Sequence, residues 1–175
     1  MPGNVALAVG NDIDYVKIVA GEEKYILAKS KTEELTQKSG IENFEILEEF
    51  KGSELVGKEY KSLFDYYQNS DLEGMENAYK IYSADFVTIE AGTGIVHIAP
   101  AFGGDDLALG RENDLPFIQH VGMNGEFKKE VSDFAGMKVR KLENHSEADI
   151  EIIKNLAHRG LLFHKEKIEH SYPTC

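Results

Sequence analysis

The chain has 175 residues of which 42% are hydrophobic, enough to bury one core, and no apolar run approaches the roughly 20 residues of a membrane span. A formal charge of -12 argues against a chain that grips a nucleic-acid backbone unaided, because phosphate contacts need an organised stripe of Lys and Arg. The one cysteine, Cys175, excludes an internal disulfide framework and a cysteine-based zinc site, and no signal peptide follows Met1, so a cytoplasmic setting is expected.

Val5, Leu7 and Val9 alternate with small residues and open the chain as a strand. Tyr15 to Val19 and Lys24 to Ala28 flank a turn at Gly21 and predict a hairpin. Ser30-Lys31-Thr32-Glu33 reads as a capping box for a helix reaching about Ser39, with Gly40 closing it. Phe44 to Phe50 returns to strand. The polar stretch 69–77 predicts an exposed loop, and Ala78 to Tyr82 and Phe86 to Ile89 are aromatic and β-branched strand candidates.

Gly92-Thr93-Gly94-Ile95-Val96-His97-Ile98-Ala99-Pro100-Ala101-Phe102-Gly103-Gly104-Asp105-Asp106 holds the densest chemistry. The glycines permit a tight turn, Ile95 to Ile98 suit a strand, and Pro100 ends its ladder. Alternation puts Ile95, His97 and Ala99 on one face. Asp105 and Asp106 fall where a short helix through Leu107, Ala108 and Leu109 begins, so an imidazole and two carboxylates can converge at a strand-to-helix corner. Taken singly, either aspartate also reads as a helix cap or dipole partner, and a lone strand histidine as a satisfied structural residue.

Beyond this corner, Pro116 to Val121 is a further strand candidate, and Gly122-Met123-Asn124-Gly125 supplies a tight turn before Glu126-Phe127. Ser146-Glu147-Ala148-Asp149 opens a helix with Ile150, Ile153, Leu156 and Ala157 as its apolar stripe, ending at Arg159-Gly160. Many short strands with few helices predict a mainly β, α+β domain whose β core is closed or nearly closed.

The run from Gly92 to Asp106 resembles the signature of the editing domain inserted in isoleucyl-tRNA synthetases, a class I family with close valyl and leucyl relatives. The resemblance extends through Asn4 to Val9, Ile46 to Gly57, Asp133 to Met137, Leu162 to Lys165 and the closing His170-Ser171-Tyr172-Pro173, and it favours the isoleucyl branch. It implies a β-barrel decorated by peripheral helices. It also implies that residues 1–175 form a single editing domain, excised from a larger synthetase and lacking the threonine-rich stretch that in the family precedes Pro2-Gly3-Asn4. The nucleotide-binding H-I-G-H and K-M-S-K-S motifs are missing, so ATP-dependent activation of isoleucine would belong to the parent enzyme.

The activity implied is hydrolysis of valine misattached to tRNA(Ile), with no cofactor. Asp106 matches the family's essential aspartate, which holds the α-ammonium of the misattached amino acid near a water. His97 matches the histidine lining the side-chain pocket. Phe102 and Gly103 would shape its wall and floor, with Ala99 and Asp105 completing the expected substrate-binding set. Two positions depart from the family: Gly104 stands where an acid is common, and Leu107 where tyrosine is usual. The implied partners are the tRNA(Ile) 3′ end and the remainder of the parent synthetase, with no membrane. Local tRNA contacts could come from Lys128-Lys129, Lys138-Arg140-Lys141, or Lys165 with Lys167. No Gly-x-Ser-x-Gly elbow and no HExxH spacing occurs, so neither a covalent nor a metal mechanism is supported. A tRNA-end binding module without turnover, a purely structural β domain, and the homologous valyl domain stay open as other readings.

Overall fold

The structure is a computed structural model that describes residues 2–90, 92–140 and 147–165. Six strands and three α-helices follow in the order β1 (Ala6–Val9), β2 (Asp14–Ala20), β3 (Glu23–Ala28), α1 (Thr32–Ser39), β4 (Glu45–Lys51), β5 (Lys80–Ser83), β6 (Val96–Ile98), α2 (Gly104–Glu112) and α3 (Glu147–His158). Among the described residues the strands make two three-stranded sheets, ordered β5-β1-β6 and β3-β2-β4. The arrangement is mixed α/β, and it corrects the closed β core expected from the sequence. Phe86 to Ile89 and Pro116 to Val121 do not join a sheet, which leaves too few paired strands to close one.

In the first sheet, β1 is central. It runs parallel to β5, with Leu7 opposite Ile81, and antiparallel to β6, with Leu7 opposite His97. Side chains paired across a sheet share a face, so His97, Leu7 and Ile81 form one row. The opposite face carries Ala6, Ala8 and Ile98, all fully buried against Val87, Leu109 and Ile118. Small alanines at these positions let the chain beneath approach closely.

The second sheet is the predicted hairpin, turning at Gly21 in the left-handed region (φ 62), with β4 added along β2. Val16, Ile18 and Leu27 pack on Leu35 of α1. That helix begins one residue later than the capping-box reading allowed: Lys29–Lys31 form a 3₁₀ turn, Lys31 is the N-cap, and no side chain caps it, while Gly40 closes it in the left-handed conformation as expected.

Tyr15 joins the two sheets. Its buried hydroxyl donates to the Gly94 carbonyl at 2.6 Å and accepts from the Gly10 amide at 3.3 Å. The Ala28 amide donates to Thr93 O at 2.8 Å, so the turn before β6 is docked on the end of β3. Gly94 is required there twice over: its φ is +76, and a Cβ would stand 2.7 Å from the Ala28 methyl.

A satellite core of Phe64, Phe127, Val131 and Phe134 is covered by α3 through Ala148 and Ile152. This corrects the predicted stripe, since Ile150 is exposed and the inward row is Ala148, Ile152 and Leu156. Adjacent Ile152 and Ile153 allow two stripes at helical spacing, and contact with the aromatic cluster selects between them. Ser146, Lys141, Lys167 and the segment 170–173 lie outside the described residues.

Candidate functional site

The site is built on an edge strand and the helix that follows it. β6 ends at Ile98, Ala99 and Pro100 are buried, and the amide of Phe102 donates to Ala99 O at 2.9 Å, folding the chain back sharply. Gly103, extended at φ −142 and ψ 144, is the N-cap of α2 and offers no side-chain cap. Asp105 and Asp106 occupy the first turn, where the positive end of the helix favours carboxylates.

The two acids then diverge. Asp106 turns back across the corner, and its Oδ2 accepts the Ala99 amide at 2.8 Å. This bond pins the carboxylate to the end of the strand that carries His97 two residues earlier, and occupies one oxygen lone pair while leaving others for a ligand. A Cβ on Gly103 would come within 3.0 Å of the Asp106 Cγ and Oδ1, so glycine at that position leaves the carboxylate its place. Asp105 is exposed, and Gly104 opens onto free space. Neither aspartate is the N-cap, so capping does not account for them.

His97 reaches solvent from the edge strand, yet enough protein crowds its ring to push its pKa below 6.5. Desolvation disfavours the imidazolium, and the Asp106 charge pulls the other way without prevailing. His97 is thereby kept neutral at physiological pH, with Asp106 close enough for its charge to be felt. The structure brings together His97, Ala99, Gly103 and Asp106. Phe102 sits one turn away, 45% exposed, with its ring turned onto His120, and Asp105 points off the corner.

His120 is the residue that sequence reasoning passed over. It is 3% exposed and its ring lies 4.4 Å from that of Phe102. No local pattern ties it to the signature, because the segment that brings it there is irregular. Leu7 was legible only as core, although register places it beside His97. The groove lined by Pro100, Leu107, Gly110 and Phe117 runs along the far side of α2 and contains neither His97 nor Asp106. No helix among the described residues is long and apolar enough to cross a membrane.

The fold that carries this strand-to-helix corner is similar to that of a solved structure. The crystal structure of GlLeuRS-CP1 superposes with a TM-score of 0.51 at 18% identity, covering 63% of this chain and 39% of that one. The fold is therefore like that of this CP1 structure. No family model matches the chain. Whole-chain similarity names the branch: 43% identity over 182 residues with the isoleucine–tRNA ligase of Tetrahymena thermophila, and 43% over 177 residues with that of Bdellovibrio bacteriovorus, each covering 100% of this chain and 16% of the relative. The enzyme of Clostridium acetobutylicum is 42% identical over 175 residues, 15% of its length. Along its whole length the chain is similar to a segment of isoleucine–tRNA ligases, and it spans about one-sixth of the length of these relatives.

Proposed function

We propose that this domain edits mischarged tRNA: it receives the 3′ end of tRNA(Ile) carrying valine and hydrolyses the ester by attack of water. The need is physical. A pocket that accepts isoleucine cannot exclude valine by more than about 1–3 kcal/mol per methylene, a limit for which isoleucyl synthetases are the standard illustration, so a second site must remove the error. The observation that carries the reading is the Asp106 carboxylate, held by the Ala99 amide beside His97.

In this reading Asp106 binds the α-ammonium of the valyl group and orients the ester toward a water, a charge-assisted contact with fixed geometry. Neutral His97, with Leu7 beside it, forms the side-chain pocket that admits valine and crowds isoleucine. Phe102 and Gly103 frame the pocket, and Asp105 faces the nucleotide side. An aminoacyl ester is already activated, so positioning supplies the acceleration and the step draws on no cofactor. The domain works as one unit within a larger cytoplasmic synthetase, whose other parts supply most of the tRNA affinity and use ATP to activate isoleucine.

The test is deacylation of Val-tRNA(Ile) and Ile-tRNA(Ile) by the full-length synthetase carrying Asp106→Ala or His97→Ala. Asp106→Ala is expected to abolish clearance of the valyl ester, and His97→Ala to begin clearing the isoleucyl ester. Normal clearance of Val-tRNA by Asp106→Ala would sink the hydrolase reading. Protection of the tRNA 3′ end without turnover by the unaltered enzyme would leave a binding module in its place.

A further inference from the structure

His120 is buried, and the Ile118 backbone is a polar neighbour that favours its charged form. Its Nδ1 has no hydrogen-bond partner among the described residues, and such an orphan costs about 1–3 kcal/mol. An apolar side chain would avoid that cost. The ring is instead held by shape: its centroid is 4.4 Å from Phe102 at 56° and 5.8 Å from Phe127 at 16°. Phe127 in turn lies 6.0 Å from Phe134 in the satellite core. On the remaining side the chain is at its closest: a Cβ on Gly3 would stand 2.3 Å from Nδ1 and 2.5 Å from Cε1.

An imidazole protonated on its other nitrogen presents Nδ1 as a hydrogen-free edge, whereas a phenyl ring carries a C–H at the same place. A neutral histidine unprotonated at Nδ1 therefore presents a narrower edge toward Gly3 than a phenylalanine would. The imidazole connects three segments that sequence keeps apart: Gly3 ahead of β1, Phe102 in the loop between β6 and α2, and the Phe127 hairpin.

We propose that His120 is a positioning residue of the candidate site. Wedged between Gly3 and Phe102, its ring sets where the loop from Phe102 to Asp106 stands relative to His97. This rests on the editing reading above. His120 touches no reacting atom in this role; it acts through Phe102. The bare Nδ1 is the feature that lets Gly3 close over the ring.

The experiment is a double-mutant cycle in the full-length synthetase, reading kcat and KM for deacylation of Val-tRNA(Ile), with isoleucylation as the folding control. His120→Ala is expected to lower kcat about tenfold or more with KM for the tRNA within about twofold, since a misplacement of about 1 Å can cost a hundredfold. In a Phe102→Ala background, His120→Ala is expected to lower the rate no further, because its route is already cut. Gly3→Ala, which pushes the ring from the other side, is expected to reproduce the kcat defect and provides the reading should His120→Ala fail to fold. A kcat within twofold of the parent for these variants, or losses at His120 and Phe102 that simply multiply, would overturn the proposal. Asp106→Ala run alongside separates the two ideas: full clearance by that variant removes the editing reading, while a silent His120→Ala beside a dead Asp106→Ala removes only this one.

Discussion

The two sheets differ in how they spend their surfaces. In β5-β1-β6, strand β1 is buried along most of its length, Ala6, Ala8 and Val9 being inaccessible, and its edge partner β6 presents His97. In β3-β2-β4, strand β4 is open on both sides, with Ile46 and Leu47 43% and 45% exposed. Around that sheet Lys29 pairs with Glu49 at 2.6 Å and Lys51 with Asp14 at 2.8 Å, all four half-exposed or more. The first sheet holds chemistry in place, and the second is a solvated buttress joined to it by Tyr15. Precision at His97 and Asp106 comes from the Ala99–Asp106 bond together with a strand immobilised on its neighbour and a turn locked by Tyr15 and Ala28.

That contrast can be broken at graded cost. The largest effect is on activity: Asp106→Ala should reduce Val-tRNA clearance by the full-length enzyme about a hundredfold or more, with a lower urea midpoint corresponding to about 1–3 kcal/mol for the Ala99 amide left unpaired. Gly94→Ala forces a side chain into a left-handed residue against Ala28 and should destabilise by about 1–3 kcal/mol, read as a lower urea midpoint at constant slope. Tyr15→Phe leaves the Gly94 carbonyl unpaired in a buried setting and should cost about 1–3 kcal/mol, with the loss in stability accompanied by a fall in editing.

Acid should act on the same side of the molecule. Burial pushes the His120 pKa from 6.5 to about 4, so above pH 6.5 the ring is neutral in folded and unfolded chains alike. As the pH falls from 6.5 toward 4 only the unfolded chain takes up this proton, and stability should drop by up to about 1.4 kcal/mol per pH unit. His120→Ala should flatten that slope in urea titrations at successive pH values. The smallest effect belongs to the buttress: Lys29→Ala removes an exposed ion pair and should shift stability by no more than about 0.5 kcal/mol. A loss of 2 kcal/mol there would show that the second sheet is more than a support.

Much of this was legible where the signal is local. The hairpin about Gly21, the stop at Gly40, the strand at His97 and the helix opened by Asp105 and Asp106 each follow from a few neighbouring residues. Pro116 to Val121 shows why the rest was not. Pro116, Ile118 and His120 are buried while Phe117 and Gln119 are exposed, so the alternation is real, but only Val121 pairs, with Phe127. Period-two burial identifies an extended segment and says nothing of whether a strand lies beside it. The Phe102–His120 contact was invisible for a related reason: neither residue carries a local cue to the other, and the packing of Phe127 and Gly3 brings them together.

The parallel pairing of β1 with β5 also fixes an order of events. Ala6 is paired in register between residues as distant as Lys80 and Ile98, whereas β2 finds β3 across a turn at Gly21. Contacts that close long loops form slowly, so the buttress can nucleate while the chain is still being synthesised, and β1 waits for its first partner until β5 has emerged and for its second until Ile98 has. The candidate corner thus forms after the buttress, and a nascent chain halted before Ile98 carries the hairpin but not the corner.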